Sequence, residues 1–136
     1  MTTAVTGGSG FIGSYIVDKL LERGDVVRVV DLVKPQREDV EWIQADLLNE
    51  NDVERAVSDA EIVYHLAAVA DVNKVLVDMK TCLRTNEEGT LNLLKACTTK
   101  EVDRVILAST TWVYGKTVGT ATEDSFLPPP DNIYAK

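Results

Sequence analysis

Thr2-Thr3-Ala4-Val5-Thr6-Gly7-Gly8-Ser9-Gly10-Phe11-Ile12-Gly13-Ser14-Tyr15-Ile16 runs from a short β-branched stretch through a glycine loop into a segment of helical period. Gly7 lets the chain turn sharply out of the strand, Gly10 lets backbone approach a ligand with no Cβ in the way, and Gly13 lets the helix lie close on the sheet. The amides of Phe11 and Ile12 then stand unpaired at a helix N-terminus, where the dipole favours a phosphate. A glycine pattern alone is weak evidence. Here a strand precedes it, a helix follows, and a second strand closes on Asp31, at the distance from the glycines where a dinucleotide site places its acid. At that place a carboxylate accepts both hydroxyls of an adenosine ribose and repels a 2′-phosphate, which points to NAD. Arg37, further on in a polar loop, is the group that could compensate for NADP.

Outward from this stretch, β-branched runs alternate with longer segments of helical period, the pattern of βαβ units. Five strands are predicted, over about 2–6, 26–31, 40–44, 61–66 and 103–108. In the first helix Phe11, Ile12, Tyr15, Ile16, Lys19 and Leu20 follow one stripe, and Gly24 marks its C-terminal cap. Residues 51–58 read as a short crossover helix. The longest helix is expected within about 73–99, where Val75, Leu76, Met79, Leu83, Thr90, Leu93, Leu94 and Cys97 recur at steps of three and four. From Gly115 to Asn132 the pattern dissolves into a loop with Pro128-Pro129-Pro130. The fold class that follows is α/β, a doubly wound parallel sheet of Rossmann type with strand order 3-2-1-4-5 and helices on both faces.

The 136 residues suffice for one domain, and 45% hydrophobic with 26% charged residues excludes wholesale disorder. Fourteen Lys and Arg against 22 Asp and Glu give a net charge of −8 with no basic patch, which argues against nucleic acid and anionic membrane as partners. The N-terminus carries no basic region followed by an apolar stretch, and no apolar run approaches the length of a membrane span. On one helix Cys82 and Cys97 would lie about 22 Å apart, beyond disulfide reach, which fits a reducing cytoplasm. A lone histidine, His65, and no close cysteine pair leave no spacing that suggests a metal site.

The segment Thr6 to Gly13 has the TGxxGxxG form of the short-chain dehydrogenase/reductase superfamily, and further segments resemble its extended branch, the nucleotide-sugar epimerases and their relatives. The resemblance covers the whole chain. Asp46-Leu47 resembles the pair that holds the adenine ring, and His65-Leu66-Ala67-Ala68 the segment lying along the cofactor's ribose and phosphates. Asn86, in Asn86-Glu87-Glu88-Gly89-Thr90, resembles the family's helical asparagine near the cofactor. Ser109-Thr110-Thr111-Trp112-Val113-Tyr114-Gly115 resembles the SS(S/T)xxVYG segment and implies Thr110 as the catalytic hydroxyl; Tyr134, after the Pro-rich loop, stands where the tyrosine of the YxxxK motif belongs. His65 itself, closing an apolar strand, reads as a core residue, and Trp112 and Tyr114 read as packing.

Residues after Thr110 separate members of this branch. Its dehydratases carry Asp and Glu there, since eliminating water needs an acid and a base beyond the tyrosine, and its decarboxylases keep the Glu. Here Thr111 and Trp112 stand instead. Hydride chemistry with one proton remains, and the resemblance implies epimerisation of a nucleotide-sugar, first of all a UDP-sugar, through a keto-sugar. Tyrosinate would take the hydroxyl proton while NAD takes hydride. Lowering a tyrosine pKa from about 10 to neutral needs about 4 kcal/mol, much of which a lysine one helical turn on supplies in the family. That position lies beyond Lys136. The chain is therefore expected to be an incomplete Rossmann domain spanning 1–136, lacking the later strands and the substrate lobe of an enzyme that dimerises through two long helices. A non-catalytic NAD-binding module and another reductase or dehydratase of the branch stay open.

Overall fold

The computed structural model describes residues 1–71, 77–116 and 119–130. Its strands are β1 (Thr2–Thr6), β2 (Val26–Asp31), β3 (Glu41–Gln44), β4 (Ile62–His65) and β5 (Arg104–Leu107), all close to the predicted bounds. They form one parallel sheet in the order β3-β2-β1-β4-β5. Period-two alternation divides the core between its two faces. On one, Ala4, Val30 and Val63 pack with Val53, Val57, Leu93, Ala96 and Cys97; on the other, Val5, Val27 and Val29 pack with Val17 and Leu20. Among the described residues no helix is long and apolar enough to cross a membrane, and no group of three His, Cys, Asp or Glu could hold a metal ion.

Helix α1 (Phe11–Glu22) ends where expected: Gly24 N–H donates to Leu21 O and Asp25 N–H to Leu20 O, at 2.9 and 3.1 Å, the paired bonds of a Schellman cap. Its buried face differs from the predicted stripe. Gly13, Val17 and Leu20 face the sheet, while Phe11, Ile12 and Tyr15 are exposed. Gly13 sets this rotation, because it lies against the backbone of the glycine loop and must point inward.

Helix α2 (Glu50–Val57) is capped by Asn49, whose side chain accepts the amides of Asn51 and Asp52. The predicted long helix is three pieces in the described residues: α3 (Met79–Leu83), a π-helical turn (Arg84–Glu88) in which Gly89 N–H reaches back to Arg84 O, and α4 (Gly89–Thr99). Cys82, Leu93, Ala96 and Cys97 are buried along it, whereas Met79, Leu91 and Leu94 point outward. Both cysteines are free thiols, and burial raises the pKa of Cys97 to about 11.

One buried cation ties the layers together. The Arg28 guanidinium, on β2, donates to Glu41 on β3 at 2.7 Å and to the carbonyls of Ala56 and Ser58 at the C-terminus of α2, where a positive charge also suits the helix dipole.

Two threonines of β1 make a natural contrast. Thr3 is fully buried and its hydroxyl has no partner among the described residues, whereas Thr6, equally buried, engages three groups. Thr3→Val, which removes an unsatisfied hydroxyl at nearly constant volume, is expected to stabilise the chain by about 1 kcal/mol; Thr6→Val should destabilise it by about 2 kcal/mol. Urea unfolding of the two variants against the parent measures both signs.

Candidate active site

All the candidate residues in the described part of the chain gather at the C-terminal ends of the strands, where parallel α/β sheets bind ligands, or on the helical segment beside them. The order β3-β2-β1-β4-β5 places the topological switch between β1 and β4, and the glycine loop leaves the sheet there. Gly7, at φ +70°, turns so tightly past the exit of β4 that a Cβ on it would lie 2.7 Å from the Ala67 nitrogen. A Cβ on Gly13 would lie 2.1 Å from Gly7 O. Gly10 is different: among the described residues the only atom near a Cβ there is Gly7 O at 3.2 Å, so its outer side is open to a ligand.

Gly10 caps α1 without a side-chain bond, no acidic residue occupies the first turn, and the amides of Phe11, Ile12 and Gly13 have no acceptor among the described residues. Three donors and the positive end of a helix dipole thus face the mouth of the loop, a donor set that fits a pyrophosphate. Phe11 and Ile12 offer it only their backbone. Their side chains turn away, that of Phe11 into an edge-to-face pair with Tyr15 at 5.4 Å.

At the end of β2 the Asp31 carboxylate is already aimed. Its Oδ1 accepts Val33 N–H and its Oδ2 accepts Ser9 N–H, both at 3.0 Å, while Ser9 Oγ donates to Val33 O at 2.6 Å. Ser9, to which the motif assigns no role, therefore clips the glycine loop to the Asp31 carboxylate. Arg37 is held elsewhere: its guanidinium grips Asp39 with bonds of 2.8 and 2.6 Å and also pairs with Asp18 on α1. That clamp staples the loop after β2 to the middle of the helix, away from the glycine loop.

Beyond β3, Asp46 is exposed, one oxygen accepting Leu48 N–H at 2.9 Å. The Leu47 side chain is buried in the core beneath Gly89, where a Cβ would lie 2.8 Å from that of Leu47, so what Leu47 can offer a ligand is its backbone. Beyond β4, Leu66 and Ala67 are half-buried and Ala68 is exposed. Asn86, within the π turn, holds Val69 at both backbone groups, accepting its N–H at 2.8 Å and donating to its carbonyl at 3.3 Å. Beyond β5, Thr110 caps a short 3-10 turn, Thr111–Tyr114, its hydroxyl oxygen accepting Trp112 N–H at 3.3 Å. That cap does not use the hydroxyl proton, which a substrate oxygen can accept. Tyr134 and Lys136 lie outside the described residues.

The family described as NAD dependent epimerase/dehydratase matches this sequence over residues 3–136. The chain belongs to that family. This member of the epimerase/dehydratase family is 34% identical over 128 residues to the UDP-N-acetyl-alpha-D-glucosaminuronate decarboxylase of Bacillus cytotoxicus, covering 88% of the chain and 40% of that protein. Its fold matches the UDP-glucose 4-epimerase of Thermus thermophilus, solved with NAD, with a TM-score of 0.88 and 39% identity, covering 99% of the chain and 46% of that one. It likewise matches MoeE5, solved with UDP-glucose and NAD, with a TM-score of 0.89 and 34% identity, covering 99% and 44%. The chain thus spans less than half the length of these relatives.

Within this epimerase/dehydratase chain, the residues missed from sequence are hydrogen-bonding ones: Ser9, Thr6 and Thr90. Thr6 carried a signal as the first residue of the TGxxGxxG form and Ser9 by its place inside the glycine loop, whereas Thr90 read only as part of the helical stripe.

Proposed function

We propose that residues 1–136 form the NAD-binding Rossmann domain of a cytoplasmic nucleotide-sugar 4-epimerase acting on a UDP-sugar. The feature that supports this reading is that the glycine loop, Asp31 and Thr110 all lie at the C-terminal side of one parallel sheet, with Thr111 and Trp112 where eliminating relatives place an acid and a base. In this reading the Phe11, Ile12 and Gly13 amides hold the pyrophosphate, Asp31 takes the ribose hydroxyls, and Asp46 with the Leu47 backbone holds the adenine. Leu66, Ala67, Ala68 and Asn86 line the path toward the reacting end. NAD, when bound, supplies a hydride acceptor that can return the hydride to the other face of the sugar. Thr110 donates a hydrogen bond to the reacting oxygen, and Tyr134 takes its proton. The exposed Met79, Leu91 and Leu94 on α3 and α4 support a homodimer built on this helical face.

The Bacillus relative favours a second reading, decarboxylation. The two separate on products when the gene product, expressed in full, is given UDP-glucose or UDP-glucuronic acid. Interconversion of UDP-glucose and UDP-galactose without net NAD reduction is expected. Release of carbon dioxide from UDP-glucuronic acid would replace the epimerase reading with the second.

Cofactor choice is a separate prediction. With Asp31 oriented by two amides and Arg37 committed to Asp18 and Asp39, NAD is expected to bind at least about tenfold more tightly than NADP, a difference of about 1.4 kcal/mol. Asp31→Asn, which keeps the shape and removes the charge, should narrow that ratio. Calorimetric titration with both cofactors is the measurement, and NADP binding as tight as NAD would overturn the assignment.

A further inference from the structure

His65 sits at the end of β4, buried, between two threonine hydroxyls. Its Nδ1 is 2.7 Å from Thr6 Oγ1 and its Nε2 is 2.9 Å from Thr90 Oγ1. Hydrogen-bond counting fixes every proton in this row. Thr90 Oγ1 lies 2.5 Å from the Asn86 carbonyl, which can only accept, so the Thr90 proton is spent there and its oxygen must accept from His65. At the other end, Thr6 Oγ1 accepts the amides of Leu66 and Ala67, both at 3.2 Å, so its own proton goes to His65. Both ends demand the same imidazole: neutral, protonated at Nε2, bare at Nδ1.

The row reinforces the pairing of Thr6 with His65 across β1 and β4 and extends it to the helical segment, which no strand pairing reaches. Thr6 immediately precedes the glycine loop, Leu66 and Ala67 form the exit of β4, and Thr90 closes on the carbonyl of Asn86 in the π turn, whose side chain in turn grips both backbone groups of Val69. We propose that His65, as the neutral Nε2–H tautomer, is a positioning residue for the cofactor, holding the glycine loop, the β4 exit and Asn86 in a single register. The groups facing it are hydroxyls and amides from β1, β4 and α4, with Leu107 beside it on β5, and none of these titrates. A second proton at Nδ1 would meet a threonine oxygen whose lone pairs already accept two amides. Burial acts in the same direction, lowering the His65 pKa to about 4.

This inference rests on the NAD-binding reading, and its test separates the two. Long-range nitrogen–proton NMR of the histidine-labelled chain should show one Nε2–H tautomer, uncharged down to pH 5. Thr90→Val, which leaves the Nε2 proton without its acceptor, should shift the Nε2–H resonances and weaken NAD binding about tenfold, Thr90→Ser should restore both, and Thr3→Val, the same kind of change elsewhere on β1, should alter neither. An Nδ1–H tautomer, a titration near pH 6.5, or NAD affinity that Thr90→Val leaves within twofold would overturn the positioning role alone. The expected tautomer in a folded parent chain without NAD affinity would overturn the NAD-binding reading and the positioning role together.

Discussion

Gly13→Ala is expected to cost about 3 kcal/mol of stability and to abolish NAD binding at millimolar cofactor. The methyl group would stand 2.1 Å from Gly7 O and 2.8 Å from both Gly7 C and Gly8 Cα, all of them backbone atoms that cannot rotate away. Helix α1 must lift off the sheet or the glycine loop must shift, and either movement spoils the three amides proposed to hold the pyrophosphate. Gly10→Ala supplies the comparison. Its methyl group meets only Gly7 O among the described residues, at 3.2 Å, which asks the loop to yield by a few tenths of an ångström. Stability should then be nearly unchanged while NAD affinity falls, because the new methyl group projects where the pyrophosphate is proposed to lie. Urea unfolding and calorimetry on both variants read the two effects separately. Parental stability in Gly13→Ala would contradict the close packing described above.

Acidification is the second large effect. His65 is the chain's single histidine, so between pH 7.5 and 5.5 no other side chain of ordinary pKa takes up a proton. Its pKa is about 4 when folded, against 6.5 for the free side chain. Above pH 6.5 the imidazole is neutral in both states and the folded protein keeps its full stability. Below pH 6.5 the unfolded chain binds the proton first and folding is penalised. The loss should reach about 1 kcal/mol at pH 5.5 and level off at about 3 kcal/mol once the pH passes below the folded value. His65→Gln, which keeps an amide donor but cannot titrate, should remove this component, so the informative quantity is the parent-minus-variant difference in urea midpoint across pH. A difference that does not change from pH 7.5 to 4.5 would show that the imidazole is not held neutral.

The strands and the glycine loop were legible because they depend on local chemistry: β-branched runs bounded by turn residues, and a glycine spacing that fits one kind of turn. The orientation of α1 was not. Phe11, Ile12 and Tyr15 look like a buried stripe, but the contact between Gly13 and the loop carbonyl, invisible to periodicity, outranks them and turns them to solvent. The π turn is hidden for a related reason. One additional residue per turn leaves the spacing of apolar residues plausible on either side, so Leu83 and Leu93 read as one continuous stripe. Asp31 was singled out by its distance from the glycines, whereas the commitment of Arg37 to Asp18 required the path of the loop in space. His65 reads as a buried side chain and is one; its two threonine partners, far from it along the chain on either side, correspond to no local pattern.

Of the five described strands, the first to be made is also the one at the centre of the sheet. Thr3 pairs with Val27 on one side and with Ile62, which is synthesised much later, on the other. A ribosome adding about 5–20 residues per second takes about 3–12 s to travel from Thr3 to Ile62. During that interval one edge of Thr3-Ala4-Val5 has no neighbour, although all three residues are fully buried in the finished sheet. Folding of this chain is thus timed by the arrival of β4 at an early strand that has been waiting, and the interval in which the nascent protein is open to chaperones, or to pairing with the wrong strand, is set by that spacing.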